Sequence, residues 1–381
     1  GQADFWFAVN GGRPTAVMQV NLKQIAVTGQ TPLNLDQLRV DSVVEGPFDQ
    51  ARIWIDDASL TADDQTFLLP RIHLHRLGRS WKMLTNRFEV SPLIAALRGS
   101  ELLPDKVNEI LETLSPAGTV DRLALTVEAL DQPLHRWELA ATVTDATTDP
   151  FRKVPGLVGI DASITANEEG ATAWIDARDF ELVLPNVYRE PIRLKSVLGT
   201  MEGRWQRDAL FLEHGLLLGS APEHDAAVQF EIDIPFSKQS SVPLKMRLSA
   251  SVLDAPVGIR DAYVPYRMPA PAYAWLQQAL PAGKIERGIF LWHGGFKPYG
   301  HPGQTMQLAA DLSGVTLEYQ PGWPAARLAE IRLRLDDTRI DAWSSEGQLA
   351  ALSLVDSAVG LQVGSDAIWL ALQTQSNGKP G

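Results

Sequence analysis

The chain of 381 residues contains no cysteine. That excludes disulfide staples and thiolate metal sites, and it accords with an oxidising compartment that tolerates no stray thiols. Basic charge is also scarce: 34 Lys and Arg stand against 46 Asp and Glu, a formal net charge of -12. Nucleic-acid binding, which needs a basic footprint, is excluded on that balance. So is adsorption to an anionic membrane through a polybasic patch. No run approaches the ~18–20 apolar residues that span a bilayer, and no charged n-region followed by an apolar h-region opens the chain. The start, Gly1-Gln2-Ala3-Asp4-Phe5, enters a strand-like run at once, the expected look of a piece whose signal or anchor lies outside it. G-x-S-x-G, H-E-x-x-H and G-x-x-x-x-G-K are all missing, and the carboxylates are too scattered to single out a catalytic pair. The expectation is a protein that is not an enzyme and needs no cofactor or metal.

What is present is alternation. Met18, Val20 and Leu22 oppose Gln19, Asn21 and Lys23; Ile53 and Ile55 oppose Arg52 and Trp54. Such a period of two puts one set on each face of a strand. Leu123, Leu125 and Val127 repeat the pattern, as do Val228, Phe230, Ile232 and Ile234. Leu244, Met246 and Leu248 follow, then Leu308, Leu317, Leu333 and Leu335. Other short runs read as separate strands: 171–175 and 180–184, 305–311 and 315–319, and 348–354. The candidate strands number roughly twenty, punctuated at the ~8–12-residue spacing of all-β folds. No Ser- or Gly-rich linker divides them. Alternation alone leaves two outcomes open, a sandwich sealed by its own side chains or one sheet curled around something apolar.

Helical periodicity interrupts the strands twice. Ser91-Pro92 begins one helical segment and a second follows Pro104, with Val107, Ile110, Leu111 and Leu114 on one face. Later, a proline-punctuated approach leads into a short helix over 272–280, where Trp275, Leu276, Ala279 and Leu280 share a face. Pro281 and Gly283 stop it. A single helical turn is expected over 324–328, and a disordered polar tail over 373–381.

The stretch Asp261–Gly294 carries a resemblance. Tyr263-Val264-Pro265, then Trp275-Leu276-Gln277-Gln278-Ala279-Leu280 with Gly283, then Gly288, look like the signature region of the AsmA-like proteins of the YhdP type. Upstream, Ser115-Pro116-Ala117-Gly118-Thr119-Val120, Pro155-Gly156-Leu157-Val158-Gly159 and Gly170-Ala171 follow in the family's order. Pro185, Glu190-Pro191-Ile192, Leu198-Gly199, Trp205 and Tyr319-Gln320-Pro321-Gly322-Trp323-Pro324 complete the set.

The resemblance implies a mainly β fold, a long twisted antiparallel sheet curled into an open apolar groove with a few short helices covering or ending it. The segments would be a groove piece over 1–90, a helical insertion over 91–118, a central groove over 119–260, the signature stretch over 261–294 and a last groove piece over 295–372. It also implies a periplasmic, inner-membrane-anchored protein that conducts phospholipid between inner and outer membranes and supports the outer-membrane permeability barrier. A monomer is expected. The apolar rows named above would line the groove, and the 272–280 helix would cover it. The rival reading is a carbohydrate-binding β-sandwich, for which Trp54, Trp174, Trp205 and Trp343 sit in strand contexts. A non-transporting envelope scaffold is the other. His73-Leu74-His75 places two imidazoles on one strand face, a spacing that can share a metal but lacks a third ligand nearby.

Overall fold

In a computed structural model of the chain, the described residues are 1–10, 13–27, 33–62, 65–99, 105–128, 136–151, 155–237, 239–266, 268, 270–295, 303–363 and 368–377. They are mainly strand, 71%, with 10% helix. Two compact units divide the chain, Gly1–Val183 and Leu184–Gly381.

Unit 1 is a meander of β1 (Gln2–Asn10), β2 (Arg13–Val27), β3 (Leu33–Glu45), β4 (Arg52–Ala62), β5 (Gln65–Leu68), β6 (Ile72–Leu77), β7 (Ser80–Thr85) and β8 (Phe88–Glu89). Helices α1 (Val90–Gly99) and α2 (Asp105–Leu114) follow, then β9 (Ala117–Glu128), β10 (Arg136–Thr148), β11 (Gly156–Asn167) and β12 (Gly170–Val183). Apart from β5 and β6, and β7 and β8, neighbouring strands pair antiparallel. Short strands share an edge in two places: β5 and β6 lie along β4, and β7 and β8 along β9.

Unit 2 continues the same grammar. Its strands are β13 (Ile192–Trp205), β14 (Ala209–Ser220), β15 (Asp225–Pro235) and β16 (Lys245–Pro256). Helices α3 (Arg260–Tyr263) and α4 (Ala270–Ala279) come next. The last strands are β17 (Ala282–Gly295), β18 (Thr305–Leu317), β19 (Ala326–Asp336), β20 (Arg339–Leu349), β21 (Leu352–Val363) and β22 (Ile368–Asn377). Consecutive strands pair antiparallel throughout. Neither unit closes on itself: among the described residues no pairing joins β1 to β12 or β13 to β22.

Left-handed residues in mid-strand explain where the alternation breaks. β10, β11 and β12 each carry one, Asp145 (φ 50), Gly159 (φ 73) and Asp179 (φ 50). Each marks a bulge, where an extra residue moves the following side chains to the opposite face. Gly159 is required there, because a Cβ would meet the Arg178 carbonyl oxygen at 2.9 Å. Runs 171–175 and 180–184, read as two strands, are therefore one strand, β12, folded over its Asp179 bulge. Runs 305–311 and 315–319 merge in the same way into β18, which bulges at Gly314 (φ 56).

Three further expectations are corrected. The run 348–354 is a hairpin, with Ala350 at φ 52 turning Leu349 onto Leu352. Ala326–Leu328 opens β19 instead of forming a helical turn, because its backbone pairs with both β18 and β20. Gln373–Asn377, expected as a disordered tail, is the second half of β22 and pairs with β21. Polar side chains do not prevent a strand when one backbone edge is paired and both faces meet water. Residues 378–381 and the side chains of Val107 and Ile110 lie outside those described.

Few side chains are fully buried. One small cluster in unit 1 gathers Ile25, Leu38 and Phe67 around Leu60. In unit 2, Val257, Leu312, Val315 and Ile331 form another.

Candidate functional site

Directly opposed residues of an antiparallel pair share a face, so the registers trace rows across each unit. In unit 1 one row runs Phe7, Ala16, Val44, Ile53, Leu74, Met83, Leu125, Leu139, Ala166, Ala171. Every member is apolar, over ten strands. The neighbouring row on the same face runs from Met18 through Ser42, Ile55, Ile72 and Thr85 to Leu123. Val20 and Leu22 on β2 and Val127 on β9 belong to this face by their two-residue spacing.

Unit 2 repeats the arrangement. A row runs Gly199, Leu217, Val228, Ala250, Phe290, Leu308, Leu335, Ile340, Leu361, Leu370. Beside it runs Val197, Gly219, Ala226, Val252, Gly288, Ala310, Leu333, Ala342, Val359, Leu372. Both are apolar across all ten strands. Phe230 and Ile232 share the face, opposed to Leu248 and Met246, and Ile234 is opposed to Leu210. Leu317 is opposed to Ala326 beyond the β18 bulge. Leu244 stands one residue before β16 and is half-buried.

Most of these side chains are half-buried. A sealed sandwich would bury them against a second sheet. At the outer strands exposure is high: Phe7 is 71% exposed and Leu370 70%. The other face of unit 2 carries cross-strand ion pairs, Glu231–Arg247 and Arg287–Asp311, each at 2.7 Å. It is not uniformly polar, since Leu198, Leu216 and Leu218 are exposed there on β13 and β14. The face includes residues the alternation did not single out, among them Phe290 and Trp292 of β17, the latter opposed to Leu248 and Met306. They lie in an unbroken apolar run, Ile289-Phe290-Leu291-Trp292, which carries no period of two to assign a face.

The insertion between β16 and β17 lies on one end of this face. Val257, just past β16, packs with Leu312, Val315 and Ile331, and Leu280 joins the same cluster. The helix is shifted from its expected span: α4 covers Ala270–Ala279, so Leu280 lies one residue past its end. Ala279 is fully buried, Leu276 half-buried and Trp275 half-exposed. The last carbonyls of a helix have no partner within it, and Arg260 supplies one from outside. Its Nη1 donates to the Val257 and Leu280 carbonyls at 3.1 and 2.9 Å, and its Nη2 to that of Gln277 at 3.0 Å. A cation at a helix C-terminus is also favoured by the backbone dipole. From the β18–β19 loop, the Glu318 amide donates to the Ala279 carbonyl at 2.8 Å, while Trp275 Nε1 donates to the Tyr319 carbonyl at 3.2 Å.

A ring of aromatics ties the approach segment down. The Arg189 guanidinium lies 3.8 Å from the Tyr273 ring centre and 5.0 Å from that of Tyr266, and donates to the Val264 carbonyl at 3.2 Å. His224 Nε2 and the Tyr263 hydroxyl are 2.7 Å apart. Burial pushes the Tyr263 hydroxyl up to about 12, with Tyr188 adding to it, and burial lowers His224.

His73 and His75 stand on the opposite face of β6 from the apolar rows. Trp54 stacks on His73 at 5.0 Å with the rings 9° from parallel. His75 is opposed to Arg52 and Lys82, whose charges oppose a metal cation. Among the described residues no three His, Cys, Asp or Glu side chains gather as a metal site, and no helix is long and apolar enough to cross a membrane.

Open antiparallel meanders, each with an apolar face across ten strands, define a class of mainly β, open-sheet proteins. Within it the chain belongs to the YhdP protein family, whose model matches residues 1–379. No curated protein and no solved structure matches the chain.

Proposed function

We propose that this chain is a periplasmic section of a bridge-like lipid transfer protein of the Gram-negative envelope. It holds the acyl chains of phospholipids on the apolar face of each unit as they pass between inner and outer membranes. The transfer supports the outer-membrane permeability barrier, requires no cofactor and catalyses no reaction. The observation that carries the reading is the unbroken apolar row across ten strands in each unit, half-buried and not covered by a second sheet. Each acyl CH₂ kept from water is worth about 0.8 kcal/mol, so one 16-carbon chain represents on the order of 12 kcal/mol of barrier removed. A face of aliphatic and aromatic side chains, repeated from strand to strand, offers similar contacts at each step. The lipid therefore slides without a deep resting place. Met18, Val20, Leu22, Ile53, Ile55, Leu123, Leu125, Val127, Val228, Phe230, Ile232 and Ile234 would line it, with Leu244, Met246, Leu248, Leu308, Leu317, Leu333 and Leu335. The segment bearing Trp275, Leu276, Ala279 and Leu280 would end it.

Site-specific photocrosslinking tests the assignment. A photoreactive residue at Leu125 or Val228 should capture phospholipid in cells, whereas one at Thr126 or Gln229, on the opposite face, should not. Equal capture from both faces, or from neither, would remove the reading.

A further inference from the structure

Trp343 was singled out in the sequence, and the apolar rows do not use it. It lies on the opposite face of unit 2, 42% exposed. Its strand neighbours explain the exposure. Across β21 it is opposed to Ala358, and two residues along, Asp341 is opposed to Gly360. These small residues leave the indole uncovered on that side.

On the other side it is opposed to Arg332 of β19, which is itself opposed to Asp311 of β18. Arg334, two residues along β19 and about 6.7 Å away, is opposed to Asp341 and Ala309. Both carboxylates are already engaged elsewhere. Arg287 holds Asp311 at 2.7 Å, and Arg339 holds Asp341 through two bonds, 2.8 and 3.2 Å. Arg332 and Arg334 are exposed and form no ion pair among the described residues. Arg287, Arg332, Arg334 and Arg339 stand around Asp311 and Asp341 on this face, and Arg339 is also opposed to Asp336. Glu330 and Asp336 flank the group, and Asp336 accepts a bond from Gln307 at 2.9 Å.

From this arrangement we propose that the outer face of β18–β21 around Trp343 binds an acidic saccharide. The sugar ring stacks on the indole while its carboxylates or phosphates take the Arg332 and Arg334 forks. A guanidinium fork matches such groups bidentately, and an exposed tryptophan face suits the apolar side of a pyranose. A sugar is favoured over an extended acidic peptide because β19 and β20 are both paired along both edges. A peptide would find no free backbone edge there.

Isothermal titration of the whole chain tests this, with tetragalacturonate as probe, maltotetraose as neutral control and hexa-aspartate as peptide control. Tetragalacturonate should bind, more weakly as salt rises from 50 to 300 mM. R332Q/R334Q should lose about ten-fold in affinity, as expected for two charge-assisted bidentate contacts. W343A should weaken binding and W343F should restore it. These positions are exposed, so the variants should melt like the parent. Four results would each overturn the proposal: no heat at millimolar probe, affinity unchanged in the variants, equal binding of maltotetraose, or equal binding of hexa-aspartate.

Discussion

The apolar face of unit 2 exists in two conditions. At its capped end, Val315 is 1% exposed and Leu312 8%, beneath an insertion pinned by Arg260. Along the open rows, Val228, Phe230 and Leu308 are only half-buried and no second layer covers them. The residue types are the same, and both sets come from one sheet. What differs is whether something from the chain itself has settled on them. The capped end is ordinary core, held by burial. The open rows leave apolar area facing outward, which a protein keeps when it serves a partner.

Substitutions can break this contrast, ranked by expected loss of stability. Val315→Asp puts a charge where no partner or water reaches and should cost several kcal/mol in urea unfolding. Arg260→Ala leaves the Val257, Gln277 and Leu280 carbonyls short of a donor. It should cost about 1–3 kcal/mol, read as faster amide exchange confined to residues 257–280.

Acidification should loosen the same cap. His224 is lowered from its usual 6.5 by burial, although Asp225 and Glu223 oppose the shift. The unfolded state therefore binds the proton first, and stability declines as pH falls through about 6.5. His224→Gln should flatten that slope in thermal melts taken between pH 7.5 and 5.5. Tyr263 acts at the other extreme, since its neutral form is favoured when folded, and stability falls as pH rises from 10 toward about 12. The smallest effect on stability, within about 1 kcal/mol, is expected for Leu125→Asp and Phe230→Asp on the open rows. If either costs as much as Val315→Asp, the rows are sealed core and the contrast disappears.

Much of the open face was legible. Met18, Val20 and Leu22, or Val228, Phe230 and Ile232, show a clean period of two because successive side chains of a strand point to opposite faces and one face collects the apolar ones. Legibility ended at the bulges. Asp179 and Gly314 shift the pattern by one residue, so single strands looked like two separated by a turn. Nothing local in Asp179 distinguishes a bulge from a turn, since Asp serves both. β22 was obscured for a different reason. Gln373, Gln375 and Asn377 have no apolar periodicity, and their strand exists through backbone pairing to β21. The helix over 272–280 was visible from its spacing, but its anchor was not. Arg260 acts on carbonyls up to twenty residues away, and no sequence period encodes that.

The central claim is that the open rows hold lipid. Native mass spectrometry of the chain purified from membranes without detergent exchange, followed by lipid extraction, tests it most directly. The account predicts co-purifying phospholipid on the parent protein, lost from Leu125→Asp and Phe230→Asp while both variants remain folded. Lipid-free parent protein, or lipid retained unchanged by both variants, would contradict it.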